Sequence, residues 1–207
     1  MITIVDYKAG NLTSVQRALS HLGIESQISS DAHTIAQAER IIFPGVGHAA
    51  SAMVSIKEAG IDKALHTAFQ KGTPIMGICL GTQIILETSQ EGDVATLGLL
   101  EGACVKFNLQ DPTLKIPHMG WNQVAITQPH YILKDLKAGD ELYFVHSYYP
   151  QPNQSSQIYA TTEYEITFTS ALGYKNLFAT QFHPEKSGPV GLQMLKNFAQ
   201  WDGTNAQ

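Results

Sequence analysis

Cysteine is nearly missing from this chain. Two thiols, Cys79 and Cys104, occur in 207 residues, too few for a disulfide framework and in keeping with a reducing compartment. Long hydrophobic runs are missing too. No stretch approaches the ~20 apolar residues that a membrane helix needs. The opening MITIVDYKAG has no basic segment, and its apolar run is too short for a secretory signal. The expectation is a cytoplasmic chain. Charge is sparse, at 15% of residues, and the net balance is -5 with no acidic tail or basic arm. That balance excludes a general nucleic-acid binder. No pair of histidines or cysteines has zinc-site spacing, and there is no dinucleotide or P-loop fingerprint, so neither metal nor cofactor is expected. Internal repeats, low-complexity stretches and linkers are absent as well, which leaves a single domain over residues 1–207.

What is present is apolar sequence, 43% of the chain, enough for a core that needs no staples. MITIVD reads as a short buried strand. Asn11 is placed to cap a helix carrying Leu12, Val15, Leu19 and Leu22 at helical spacing, which Gly23 stops. IESQIS and RIIF read as further strands. Helical patterning follows over residues 49–57 and 61–70. TPIMGIC is a fourth strand, and helical spacing resumes through Ile84, Ile85 and Glu87. Strands alternating with helices imply parallel pairing through crossovers. After residue 100 the pattern changes to strand-like segments: CVKFNL, NQVAI, ELYFVHSYY, IYATTEY, ITFTSAL and LFATQF. A last helix begins near Ser187, with Leu192, Leu195, Phe198 and Ala199 facing inward. The expected fold is α/β, a mostly parallel central sheet flanked by helices, with additional β-strands in the C-terminal half.

One of the two thiols sits in an unusual frame. GICLG, residues 77–81, has the spacing of the G-x-S-x-G nucleophile elbow with cysteine in the serine position. Such a turn lifts its central side chain clear of the sheet and sets it at a helix N-terminus, where the positive dipole end favours thiolate. The amide of Leu80 then points to where an oxyanion would form. Taken alone, Cys79 reads equally well as a buried core thiol. Cys104 has no glycine frame and alternates with Val105 in a strand pattern, which makes it a packing residue.

A nucleophilic thiol needs a base. Eight histidines are available, and His183 differs from the rest because QFHPE ends an apolar strand with Glu185 two residues on. In extended chain those two side chains share a face, and the carboxylate would fix the imidazole's tautomer. Pro184 stiffens the link. FPGVGH, residues 43–48, supplies a Gly-x-Gly turn after a neighbouring strand, and turns after parallel strands gather at the carboxyl edge of the sheet.

PGVG, GICLGTQ and FHPEKS together resemble the class I glutamine amidotransferases, the triad glutaminases, in order and spacing along nearly the whole chain. The resemblance implies their flavodoxin-like fold and L-glutamine as substrate. Cys79 would be the nucleophile, His183 the proton carrier and Glu185 its orienting acid. Amides of Leu80 and of Gly45, Val46 and Gly47 would hold the oxyanion. Gly47, Gln83, Glu91, Ser147 and Tyr148 would grip the amino-acid part of glutamine. Thr82 departs from the family, which usually carries methionine there.

IPHMGWNQV, YFVHSYY and IVDYKAGNL are similar to members of the family that pass ammonia to a (β/α)8-barrel cyclase subunit in a heterodimer. That similarity implies a docking face containing Trp121, Asn122, His118, Lys186 and Asn11. It also implies that the Val46 N–H is turned away until the partner binds its acceptor. A glutaminase feeding pyridoxal phosphate or anthranilate synthesis stays open as the alternative.

Overall fold

The computed structural model describes residues 1–8, 10 and 12–204. Asn11, expected as a helix cap and docking residue, lies outside the described residues. The first half alternates strand and helix: β1 (Ile2–Val5), α1 (Leu12–His21), β2 (Ser26–Ser29), α2 (Ala32–Ala36), β3 (Ile41–Gly45), α3 (Ala49–Glu58), α4 (Ile61–Gln70), β4 (Ile75–Cys79) and α5 (Leu80–Ile84). The second half is mostly strand: β5 (Thr88–Ser89), β6 (Val94–Ala95), β7 (Gly102–Lys106), β8 (His118–Gln123), β9 (Ala125–Ile126), β10 (Glu141–His146), β11 (Tyr148–Pro152), β12 (Ile158–Tyr164), β13 (Ile166–Tyr174) and β14 (Leu177–Thr180). The helix α6 (Gly188–Gln200) closes it.

The main sheet has eight strands in the order β2-β1-β3-β4-β14-β13-β12-β9. Strands β2, β1, β3, β4 and β14 are mutually parallel, and β13, β12 and β9 continue antiparallel. This is the expected α/β architecture, and the reason lies in strand chemistry. β1, β3, β4 and β14 are buried at every position, as strands covered on both faces must be. Alternation then divides their side chains. Ile42, Met76 and Phe178 join Val15, Leu19, Met194 and Phe198 of α1 and α6 on one face. Ile41, Phe43, Ile75 and Leu177 join Met53, Ile56, Leu65 and Ala68 of α3 and α4 on the other.

One feature differs from the sequence expectation. Helical spacing continues past Cys79 through Glu87, yet α5 ends at Ile84. The carbonyls that would extend it are taken from outside: Leu97 N–H donates to Ile84, Leu99 N–H to Ile85 and Gly98 N–H to Leu86, at 2.7 to 2.9 Å. A returning segment thus completes the hydrogen bonding that a longer helix would have made. The additional strands of the second half partly extend the main sheet and partly flank it, as expected. β11, β7, β5 and β6 form a sheet of their own, and β10 pairs with β8. These small sheets bring residues 91, 117 and 145–148 over the carboxyl edge of the large one.

Candidate active site

The site gathers at the carboxyl ends of three adjacent parallel strands, β3, β4 and β14. Gly45 at the end of β3 is in register with Cys79 at the end of β4. That register sets the Gly45-Val46-Gly47 turn beside the thiol. Cys79 adopts φ 52°, ψ -107°, a conformation that non-glycine residues rarely hold and that marks functional turns. Its flanking glycines are required by close approach. A Cβ on Gly77 would stand 3.0 Å from that of Ala179, and one on Gly81 would lie 1.8 Å from the Phe43 carbonyl oxygen. Gly81→Ala is therefore expected to cost about 3 kcal/mol or more through overpacking, read as a lower midpoint in urea unfolding with an unchanged slope.

His183 follows β14 and is 1% exposed. Its backbone is tied to β10: its N–H donates to the Tyr143 carbonyl at 2.9 Å. Ser187 Oγ donates to the His183 carbonyl at 2.6 Å and accepts from the Tyr143 N–H at 2.9 Å. Residues Pro184–Lys186 form a 3-10 turn. The contact expected from an extended His-Pro-Glu is thus made by a tight turn, with Pro184 at its start. His183 Nδ1 lies 2.8 Å from Glu185 Oε1, and the carboxylate is itself fully buried. The ring therefore donates from Nδ1 and leaves the Nε2 lone pair for a proton. Burial pulls the basicity of His183 down, but the nearby Cys79 sulfur and the Glu185 carboxylate outweigh it and raise the pKa to about 10. Apart from Cys79, whose sulfur is close enough to raise the His183 pKa, Nε2 has no hydrogen-bond partner among the described residues. The thiol hydrogen points to the Val145 carbonyl, 3.8 Å from the sulfur, and has to turn to reach the imidazole.

Cys79 and Leu80 open into a cavity of about 320 Å³ whose walls also include Val46, Gly47, Gln83, Glu91, Ser147 and Tyr148. All five side chains and backbones expected to hold glutamine border this one space. Glu91 Oε2 accepts the N–H of Ala49 at 2.7 Å, at the start of α3. Gln83 gives both amide hydrogens away, to the Tyr148 carbonyl at 3.0 Å and to Gln181 Oε1 at 3.2 Å. What Gln83 offers a ligand is therefore its carbonyl oxygen, which suits an α-ammonium group. Thr82 is fully buried, and its hydroxyl donates to the Thr180 carbonyl at 2.6 Å. Its polarity is thereby satisfied, and it pins α5 to the end of β14.

The family described as Glutamine amidotransferase class-I matches residues 3–201. Curated relatives named "Imidazole glycerol phosphate synthase subunit HisH" align along nearly their whole length. The one from Nitratidesulfovibrio vulgaris is 49% identical, covering 96% of this chain and 95% of its own. The one from Acinetobacter baylyi is 47% identical, covering 97% and 98%. The chain is a class-I glutamine amidotransferase of the HisH family. Among solved structures, one titled "Crystal structure of glutamine amidotransferase" superposes with a TM-score of 0.76 at 16% identity, covering 99% of this chain and all of its own. PurLQS from Thermotoga maritima superposes at 0.75 with 18% identity, covering 96% and 97%. At such identities these two speak for the fold alone.

The amidotransferase carries an exposed apolar strip beside the site. Along β8, Met119 and Trp121 are 62% and 53% exposed. Trp121 is in register with Tyr143 on β10, their rings edge to face at 6.0 Å, and Lys186 Nζ sits 6.0 Å above the Tyr143 ring. Trp121 and Lys186 thus share a surface next to the His183 turn. His118 does not. Strand alternation sends it inward, where it is 3% exposed. Its Nδ1 lies 2.9 Å from His146 Nε2, and His146 Nδ1 lies 2.8 Å from the Tyr148 carbonyl. Asn122 also turns inward, donating to the Glu163 carbonyl at 3.0 Å and lying 3.3 Å from His118 Nε2. Burial holds both rings neutral, pushing His118 down to about 4 and His146 to about 3. The Tyr148 carbonyl fixes the proton of His146 on Nδ1, so His118 donates to it from its own Nδ1.

Proposed function

We propose that this chain is the glutaminase subunit of imidazole glycerol phosphate synthase. It hydrolyses L-glutamine and delivers ammonia to a (β/α)8-barrel cyclase subunit, which makes imidazole glycerol phosphate and AICAR for histidine biosynthesis. The observation that carries the chemistry is the strained Cys79 beside a buried His183–Glu185 pair, opening on an amino-acid-sized cavity. Glutamine would bind with its α-ammonium near the Gln83 carbonyl oxygen and Glu91, and with its side-chain amide toward Cys79. With the Cys79 proton held on His183 Nε2, the sulfur attacks the amide carbon. The oxyanion draws hydrogen bonds from the Leu80 amide and from the Gly45-Val46-Gly47 turn. His183 returns the proton to nitrogen, and ammonia leaves. Water, deprotonated by His183, then cleaves the thioester to glutamate, and the sulfur recovers its proton. No cofactor or metal takes part in this sequence.

Ammonia set free in water at neutral pH becomes ammonium and loses its lone pair. The reading therefore includes a covered exit into the partner, with Met119, Trp121, Tyr143 and Lys186 as the docking face. Exposed aromatics of this kind supply interface hot spots. The reaction is placed in the cytoplasm, and residues 1–207 form one functional domain.

The test mixes the chain with the barrel cyclase and its nucleotide acceptor and measures glutamate release. Release is expected to rise sharply on mixing, and Trp121→Ala is expected to weaken the complex by about 2 kcal/mol, ~30-fold in Kd. No glutamate release in the complex overturns the function. Equal release with and without the cyclase overturns partner activation alone.

A further inference from the structure

A relay of buried amides ends on the sulfur of Cys79. Gln181 is fully buried and is not part of the cavity wall. Its backbone is fixed, the N–H donating to the Ser170 carbonyl at 2.9 Å. Its side-chain Nε2 lies 3.8 Å from Cys79 Sγ, and its Oε1 accepts from Gln83 Nε2 at 3.2 Å. Gln83 Nε2 also donates to the Tyr148 carbonyl at 3.0 Å.

The polarity of this chain follows from its far end. A backbone carbonyl only accepts, so Gln83 must turn its NH2 toward Tyr148. The second hydrogen of that NH2 then requires an acceptor, and Gln181 must present its carbonyl oxygen. Gln181 is left with its own NH2 facing the sulfur. The opposite arrangement would set two NH2 groups or two oxygens against each other. The group aimed at Cys79 is therefore a donor, dictated by a carbonyl two side chains away. A neutral thiol is a weak acceptor and gains little from it. A thiolate gains more, because a hydrogen bond to a charged acceptor is about twice as strong and shorter.

We infer that Gln181 is a positioning residue for the nucleophile: its amide aims the Cys79 sulfur and favours the thiolate, and through Gln83 it ties the sulfur to the wall that receives glutamine. This rests on Cys79 being the nucleophile. Gln181 touches no substrate and acts through the sulfur.

The experiment uses the full chain, alone and with its cyclase. Two variants separate the donor from the bulk. Gln181→Glu keeps the shape and the acceptor toward Gln83 while replacing the NH2 with oxygen. Gln181→Met keeps the length and removes all polarity. The first readout is site-resolved alkylation by iodoacetamide across pH, with buried Cys104 as the internal control of folding. The second is kcat and KM for glutamine.

In both variants the Cys79 alkylation profile is expected to move up by about one pH unit, about tenfold slower at neutral pH. The kcat falls by a similar factor, with a much smaller rise in KM, and Gln181→Glu is the more affected. If Gln181→Glu exposes Cys104, Gln181→Met carries the comparison. Profiles that coincide with wild type while Cys104 stays protected overturn the inference. A wild-type chain whose Cys79 is unreactive and which releases no glutamate overturns the thiol reading instead, and this inference with it.

Discussion

Replacing Cys79 by alanine is expected to abolish glutamine-dependent synthesis by the complex, by ~10³-fold or more, while synthesis from added ammonium salts stays near wild type. The substitution removes one sulfur from a buried turn. Alanine, like cysteine, has a Cβ, so the positive φ of 52° costs the variant no more than it costs the native chain. Gly77 and Gly81 keep their close approaches, and the cavity gains only the space of the lost atom. The fold and the docking face should therefore survive, and the cyclase still receives ammonia from solution. This separation is what makes the result decisive. A variant that loses both activities has lost the complex, and one that keeps glutamine use removes Cys79 from the chemistry. Cys104 does not substitute, since burial pushes its thiol pKa well up and it faces Ser89 rather than the cavity.

The elbow was legible because its demands are local. A thiol at positive φ needs neighbours without side chains, and those neighbours are written as Gly77 and Gly81. The His183–Glu185 contact was legible for its separation but not for its path, since the sequence implied extended chain and the structure uses a 3-10 turn. Gln181 carries no such signal. β14 ends at Thr180 and the chain bends at residues 181 and 182, so strand alternation does not direct its side chain, and the pairing of β14 with β4 brings its amide to 3.8 Å from Cys79 Sγ. Other misses are non-local. Nothing in the spacing after Cys79 shows that residues 97–99 will take the carbonyls of Ile84, Leu86 and Ile85. Likewise, the pairing of β8 with β10, which turns His118 into the interior against His146, depends on two segments far apart in the chain. The Val145 carbonyl that receives the thiol is a backbone group, and no residue type advertises it.

Glu185→Gln carries the other large effect, and its sign with pH follows from the geometry. The carboxylate lies 2.8 Å from His183 Nδ1 with no exposure to water, so it both selects the tautomer that leaves Nε2 free and stabilises the imidazolium formed when the thiol gives up its proton. Glutamine in its place keeps the shape. It either offers an NH2 to Nδ1, reversing the tautomer, or accepts with a neutral oxygen that no longer balances the charge. Turnover of glutamine is expected to fall ~10²–10⁴-fold. Stability should report the same pair. In the native fold His183 sits at about 10 against an ordinary 6.5, so the folded chain holds a proton that the unfolded chain releases within that interval. The pair's contribution is complete below about pH 6.5 and declines as pH rises toward 10. In Glu185→Gln the carboxylate that helps to raise His183 is gone, so the decline still begins near pH 6.5 but is smaller and ends at lower pH. Urea unfolding at pH 6 and pH 9 reads the difference. A wild-type loss of stability between the two that the variant reproduces in full would show that the His183–Glu185 pair is not its source.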